Sequence, residues 1–171
     1  MMNDEKKTMA QAVKAMTMKT GKYLTFMLSD ETYGIGILKV KEIIGMMPVT
    51  SVPRTPEFVK GVINLRGKVI PVIDLRLKFG MESIPYTERT CIIVVEIDSD
   101  DSTVLIGIVV DSVSEVLNIK EEEIEETPAF GAKMDTAYIL GMAKMEGGVK
   151  ILLDIDKVLS SKEIKLLEKT E

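Results

Sequence analysis

Glu42 and Arg66 stand out because each interrupts an apolar run. The acid sits in VKEIIG and the base in GVINLRGKVIPVIDLR, which spans residues 61–76. An arginine among apolar neighbours favours a carboxylate that accepts both arms of its guanidinium, so Glu42 is its expected partner. A surface ion pair of little energetic worth is the plain alternative. Asp74 and Asp154 form a second matched set. Paired carboxylates could do acid–base chemistry, but each of these ends a strand-like run before a helix-like one. An N-cap is the expected role there.

Other polar clusters carry less. Lys120 to Glu126 reads as a solvated loop or short helical turn, since its carboxylates repel one another. Asp98, Asp100 and Asp101 resemble the start of a calcium loop, yet the glycine and distal glutamate are missing, so a turn is expected. Gly61, Gly67 and Gly80 match no phosphate-binding motif and read as bends. Met46, Met47, Met142 and Met145 suit either an adaptable partner surface or core gap-filling.

The composition narrows the chemistry further. There are 171 residues, no histidine and one cysteine. Histidine-dependent nucleophiles and histidine-ligated zinc or haem are excluded, as are an intrachain disulfide and a CxxC metal site. Neither a cofactor nor a metal is expected. Cys91 opens an apolar run and reads as a buried structural thiol. The net charge is −5, with no basic patch interleaved with aromatics, so no nucleic-acid footprint is visible. No apolar run is long enough to insert in a membrane, and residues 1–20 lack a signal-peptide core. The expected location is cytoplasmic.

Residues 1–20 read as a flexible or weakly helical arm. From Lys22 onward the pattern is one of short strands. A hairpin runs through Lys22 to Ile37 and another through Cys91 to Val110, each with a polar turn. The two halves repeat one another. Gly34, Val40, Glu42 and Ile43 recur 73 positions later as Gly107, Val113, Glu115 and Val116. Pro56 and Phe58 recur 72 positions on, as Pro128 and Phe130. Gly61, Gly67, Val69 and Asp74 recur 80 positions on, as Gly141, Gly147, Val149 and Asp154. These repeats, residues 22–82 and 90–160, predict two small β modules sharing a core, with strands open to exchange between them. Pro71 is expected at a sheet edge, and Ser160 to Leu167 as a closing amphipathic helix. One position breaks the repeat. Where the first module has Arg66, the second has Glu146.

The segments FMLSDETYGIGILKVKEII, PVTSVPRTPEFVKGVINLRGKVIPVIDLRLKFG, IGIVVDSVSEVLNI and YILGMAKMEGGVKILLDIDKVL resemble the CheW-like family of bacterial chemotaxis coupling proteins. The resemblance covers residues 21–163, leaving 164–171 as helix end and tail. It implies a mainly β fold: two SH3-like five-stranded barrel subdomains around a shared hydrophobic core, with short helices and a C-terminal helix. It also implies an adaptor and not an enzyme. Such a protein links the cytoplasmic tips of methyl-accepting chemoreceptors to the regulatory domain of the histidine kinase CheA, within membrane-associated arrays and in rings that can include other CheW-like proteins. Family positions for the receptor groove fall on Val40, Glu42, Gly61, Arg66, Gly107, Val113 and Val116. Ile70, Leu75 and Met81 are expected on the kinase-binding face. A small-molecule-binding barrel, or another protein-interaction module, is the alternative.

Overall fold

The computed structural model describes residues 21–98, 102–128 and 137–168. The N-terminal arm, Asp100, Asp101, Phe130 and the last three residues of the tail lie outside that set. Eleven strands carry the fold: β1 (Gly21–Leu28), β2 (Glu31–Gly36), β3 (Val40–Gly45), β4 (Val59–Leu65), β5 (Lys68–Asp74), β6 (Cys91–Asp98), β7 (Thr103–Val110), β8 (Ser112–Ile119), β9 (Ile124–Glu125), β10 (Ile139–Met145) and β11 (Gly148–Leu153). Among the described residues three α-helices accompany them: α1 (Leu75–Lys78), α2 (Ile155–Val158) and α3 (Ser161–Glu168).

The strands form two sheets, ordered β8-β1-β2-β11-β10-β9 and β3-β6-β7-β5-β4. This is the mainly β, two-subdomain SH3-like plan. The first sheet has six strands where five are expected, because the short β9 pairs with β10 at Met142 and Ala143. The second sheet has only an isolated bridge, Thr50 with Val62, in the matching place. Each sheet mixes the repeats. The β1–β2 hairpin lies beside β11, in parallel, and the β6–β7 hairpin lies beside β5, again in parallel.

One apolar core joins the halves. Leu24, Phe26, Ile35, Ile73, Leu75, Ile93, Ile106, Ile108, Leu153 and Ile164 belong to a single cluster drawn from both sheets and from the helices. Smaller cores back each sheet, around Ile63, Val72 and Ile92 in one and Tyr23, Ala143 and Leu152 in the other. Met46 and Met47 pack on the first of these and Met145 on the second, so these methionines fill gaps.

Helix starts follow the capping logic. The Asp74 carboxylate accepts from the backbone N–H groups of Arg76 and Leu77, and Asp154 accepts from that of Asp156. In α3, Ser160 and Glu163 form a reciprocal box: the Ser160 N–H donates to Glu163 Oε1 at 2.8 Å and the Glu163 N–H to Ser160 Oγ at 3.1 Å. Lys78 closes on Glu163 at 2.8 Å and fastens α3 to α1.

Burial pushes the Glu163 carboxyl up, but the Lys78 and Ser160 hydrogen bonds outweigh it and hold the group below its ordinary value. A depressed folded-state value stabilises the fold above the unfolded value and is lost as pH falls through the folded one. Glu163→Gln is therefore expected to cost about 1 kcal/mol at neutral pH, after allowing for partial exposure. The deficit should close as the pH drops below the ordinary carboxylate value of 4.5. Thermal melts of both proteins across that range check it; a deficit independent of pH would contradict the assignment.

Two expectations need correction. Pro71 lies in β5, an inner strand, not at an edge. It is tolerated because Val62, its partner on β4, exchanges both backbone bonds with Thr50 on the far side, at 2.9 Å each. The Pro71–Val62 pair therefore needs no donor across β4, and pairing to β7 begins only at Val72. Cys91 is half-buried, not fully buried. Burial still raises its thiol pKa and so disfavours the thiolate, partly offset by a hydrogen bond with the Val113 backbone.

Candidate partner-binding site

Arg66 occupies the tip of the β4–β5 hairpin. Leu65 pairs with Lys68, leaving Arg66 and Gly67 as a two-residue loop with φ of 53° and 86°. Positive φ at both positions is the turn that matches strand twist, and Asn64 Oδ1 secures it by accepting from the Gly67 N–H at 2.8 Å. The tip aims Arg66 at β3. Its Nη1 donates to Glu42 Oε1 at 2.9 Å and its Nη2 to Glu42 Oε2 at 2.5 Å.

The expected partnership is therefore present, but its setting differs. The Arg66 side chain is 71% exposed and that of Glu42 31% exposed, because the guanidinium projects from a turn beyond the sheet. The hydrogen bond from Arg66 holds Glu42 below the ordinary carboxylate range. Together they line an open recess of about 850 Å³ walled by Leu65, Ile70, Val94 and Leu105. A second ion pair, Lys41 with Glu96 at 2.8 Å, closes another side of it.

The remaining candidates divide by face. Strand β8 is one edge of the first sheet and β3 one edge of the second. Val40 pairs with Val95 and Ile43 with Ile93, so both project to the shared-core side of β3. Val113 pairs with Phe26 and Val116 with Leu24, placing both on the shared-core side of β8. Residues three apart normally face opposite ways in a strand, and a bulge in each edge strand realigns them. On β8 the buried Thr25 hydroxyl fixes the bulge, donating to the Glu115 carbonyl at 2.7 Å. Val113 and Val116 are the repeat partners of Val40 and Ile43. The apolar strip is thus built twice.

Ile43, at 45% exposure, and Val116, at 48%, remain open to solvent. Sequence reasoning missed Ile43 as a contact candidate, although its repeat equivalence to Val116 was available. Glu42 projects from the opposite face of β3, over the recess, so charge and apolar strip meet across one strand and not in one pocket.

Gly61 and Gly107 are buried, so they shape backbone and offer no side chain. Ile70 and Leu75 must be set aside as kinase-facing residues. They are 1% and 0% exposed and build the core behind the second sheet and the shared core. Met81 is half-buried against the shared core. The exposed apolar neighbours are instead Val69, at 44%, and its repeat partner Val149, at 49%.

The CheW-like domain family matches residues 22–163 of this sequence. The chain belongs to the CheW family. A chemotaxis protein CheW of Klebsiella aerogenes is 44% identical over 85% of this chain and 86% of its own length. The chemotaxis protein CheW of Thermotoga maritima is 32% identical, covering 93% of this chain and 97% of that one. Among solved structures, the crystal structure of the scaffolding protein TtCheW from Thermoanaerobacter tengcongensis superposes with a TM-score of 0.73. It shares 38% identity and covers 84% of this chain and 97% of that one. The two-sheet plan is thus the family's fold, and Arg66 and the paired edge strands are read within it. No helix among the described residues is long and apolar enough to cross a membrane.

Proposed function

We propose that this CheW-family chain is a chemotaxis scaffold that couples the cytoplasmic tips of methyl-accepting receptors to the histidine kinase CheA. The observation that carries the reading is the duplicated apolar strip. Val40, Ile43, Val113 and Val116 sit on the shared-core side of two edge strands, with Arg66 fixed by Glu42 beyond one of them. A receptor tip is a helical hairpin. A helix lying along such a strip would bury the valines and Ile43, while Arg66 sets its orientation against an acidic side chain. The regulatory domain of CheA would dock on barrel surfaces carrying Val69 and Val149, with Met81 a further candidate contact at the shared core. On the first barrel Val69 and Arg66 line the same recess, so the kinase contact there would adjoin the receptor contact, whereas Val149 offers a second docking point. The protein would then reside in the cytoplasm at receptor arrays.

A small-molecule role would have to use the recess beside Arg66. Two ion pairs across its rim already engage four of the five charged side chains that line it, Lys68 being the fifth, which favours the adaptor reading.

Co-sedimentation tests it. Mixed with a receptor cytoplasmic fragment in arrays and with CheA, the protein is expected in the pellet with both. CheA should pellet far less when the protein is left out. Binding to neither partner would overturn the proposal.

A further inference from the structure

Two buried-edge charge clusters hold the exchanged hairpins, and their signs are reversed. Where β5 and β7 run in parallel, α1 begins beside the turn into β8. There Arg76 Nη1 meets Asp111 Oδ2 at 2.7 Å, with side chains only 11% and 21% exposed. The same Asp111 oxygen accepts from the Ser29 N–H at 2.7 Å in the β1–β2 turn, and Arg76 Nε donates to the Glu82 carbonyl at 3.0 Å. Where β2 and β11 run in parallel, α2 begins beside the turn into β3. There Lys39 Nζ meets Asp156 at 2.8 Å and Asp98 at 2.9 Å. Asp156 also accepts from the Asp98 N–H at 2.9 Å, at the end of β6.

The repeat makes these clusters comparable. Arg76 and Asp156 are 80 positions apart and so occupy the same place in the two helices. Lys39 and Asp111 sit one position apart in the two aligned strand junctions, whose offset is 73. Each helix therefore meets the junction of the other repeat, cation to anion in one case and anion to cation in the other. Suppose instead that each repeat paired with itself, β2 beside β5 and β7 beside β11. Arg76 would then face Lys39, and Asp156 would face Asp111. Both contacts become like-charged at sites partly shielded from water, where repulsion is stronger than on the open surface.

We infer that Arg76, Asp156, Lys39 and Asp111 form a charge code that selects hairpin exchange between the two repeats over pairing within each repeat. Backbone pairing alone cannot make this choice, because the two hairpins share Gly-Ile and the same strand plan. The code supplies the discrimination as mismatch repulsion, not as added affinity. It acts when the hairpins dock during folding.

The test swaps residues without changing composition. Arg76→Asp with Asp156→Arg keeps net charge but inverts the code, so the exchanged form carries two repulsive contacts and the self-paired form two attractive ones. Adding Lys39→Asp and Asp111→Lys restores opposite charges in the exchanged form. Refolding from denaturant is followed by soluble yield. Pairing is followed by the distance distribution between spin labels at Glu31 and Lys144, in a Cys91→Ser background. The double swap is expected to lose about tenfold in native refolded yield, or to show a second distance population. The fourfold variant is expected to return within about twofold of the parent, with one population. A double swap that refolds like the parent overturns the inference. So does a fourfold variant no better than the double, which would make the defect a local helix effect.

Discussion

Arg66→Asp is expected to abolish receptor-tip binding, weakening it by about 30-fold or more, while leaving the fold intact. The guanidinium is the charged tip of the proposed contact, and reversal replaces an attraction to an acidic receptor side chain with repulsion. The fold should tolerate the change for two reasons. Arg66 is largely exposed, so its bond to Glu42 adds little stability in water. Its φ of 53° is a conformation that aspartate adopts more readily than arginine. The melting temperature should stay within about 2 °C of the parent. Pull-down against receptor fragment, paired with thermal melts, checks both halves. Undiminished binding would remove Arg66 from the receptor contact, and a collapsed fold would make it a structural residue instead.

Gly61→Ala should do the reverse. At Gly61, φ is 142°, and a methyl group would fall 1.9 Å from the Thr50 carbonyl oxygen. That oxygen belongs to backbone, pinned one residue away by the Thr50–Val62 bonds, so neither side can give way cheaply. Strain plus the overlap should cost about 3–5 kcal/mol, a large share of the stability of a domain this size. The melting temperature is expected to fall by on the order of 10 °C, and receptor binding to fall only with the folded fraction. Denaturant titration alongside binding separates the two. A stable Gly61→Ala protein with impaired binding would return Gly61 to the contact surface. Its repeat partner Gly141 is crowded as well: a methyl group there would fall 2.7 Å from Ile124 Cγ2, so the close approach is a property of the module plan.

These two variants mark how far the sequence could be read. The duplication was legible because its glycines, caps and edge-strand valines recur at fixed offsets. From these came two modules, a shared core and the Asp74 and Asp154 caps; the Glu42–Arg66 partnership came instead from an arginine set among apolar neighbours. Burial was harder to read. Arg66 lies between apolar runs in sequence yet sits at a hairpin tip, where a two-residue loop leaves its side chain largely exposed as it reaches Glu42 on β3. Ile70 and Leu75 look like surface candidates beside Val69, but strand alternation sends Ile70 inward and the cap at Asp74 tucks Leu75 into the shared core. The bulges in β3 and β8 left no local signature. They depend on partners such as Thr25, which is 90 positions from Glu115. The same holds for Arg76–Asp111 and Lys39–Asp156, whose meeting requires the hairpins to have changed places.

Receptor-controlled kinase output tests the central claim most directly. CheA autophosphorylation is measured with a receptor cytoplasmic fragment, with and without this protein, at matched concentrations. Receptor-dependent stimulation that requires the protein and disappears with Arg66→Asp is expected. Kinase output that is the same with and without the protein, using partners from the same cell, would contradict it.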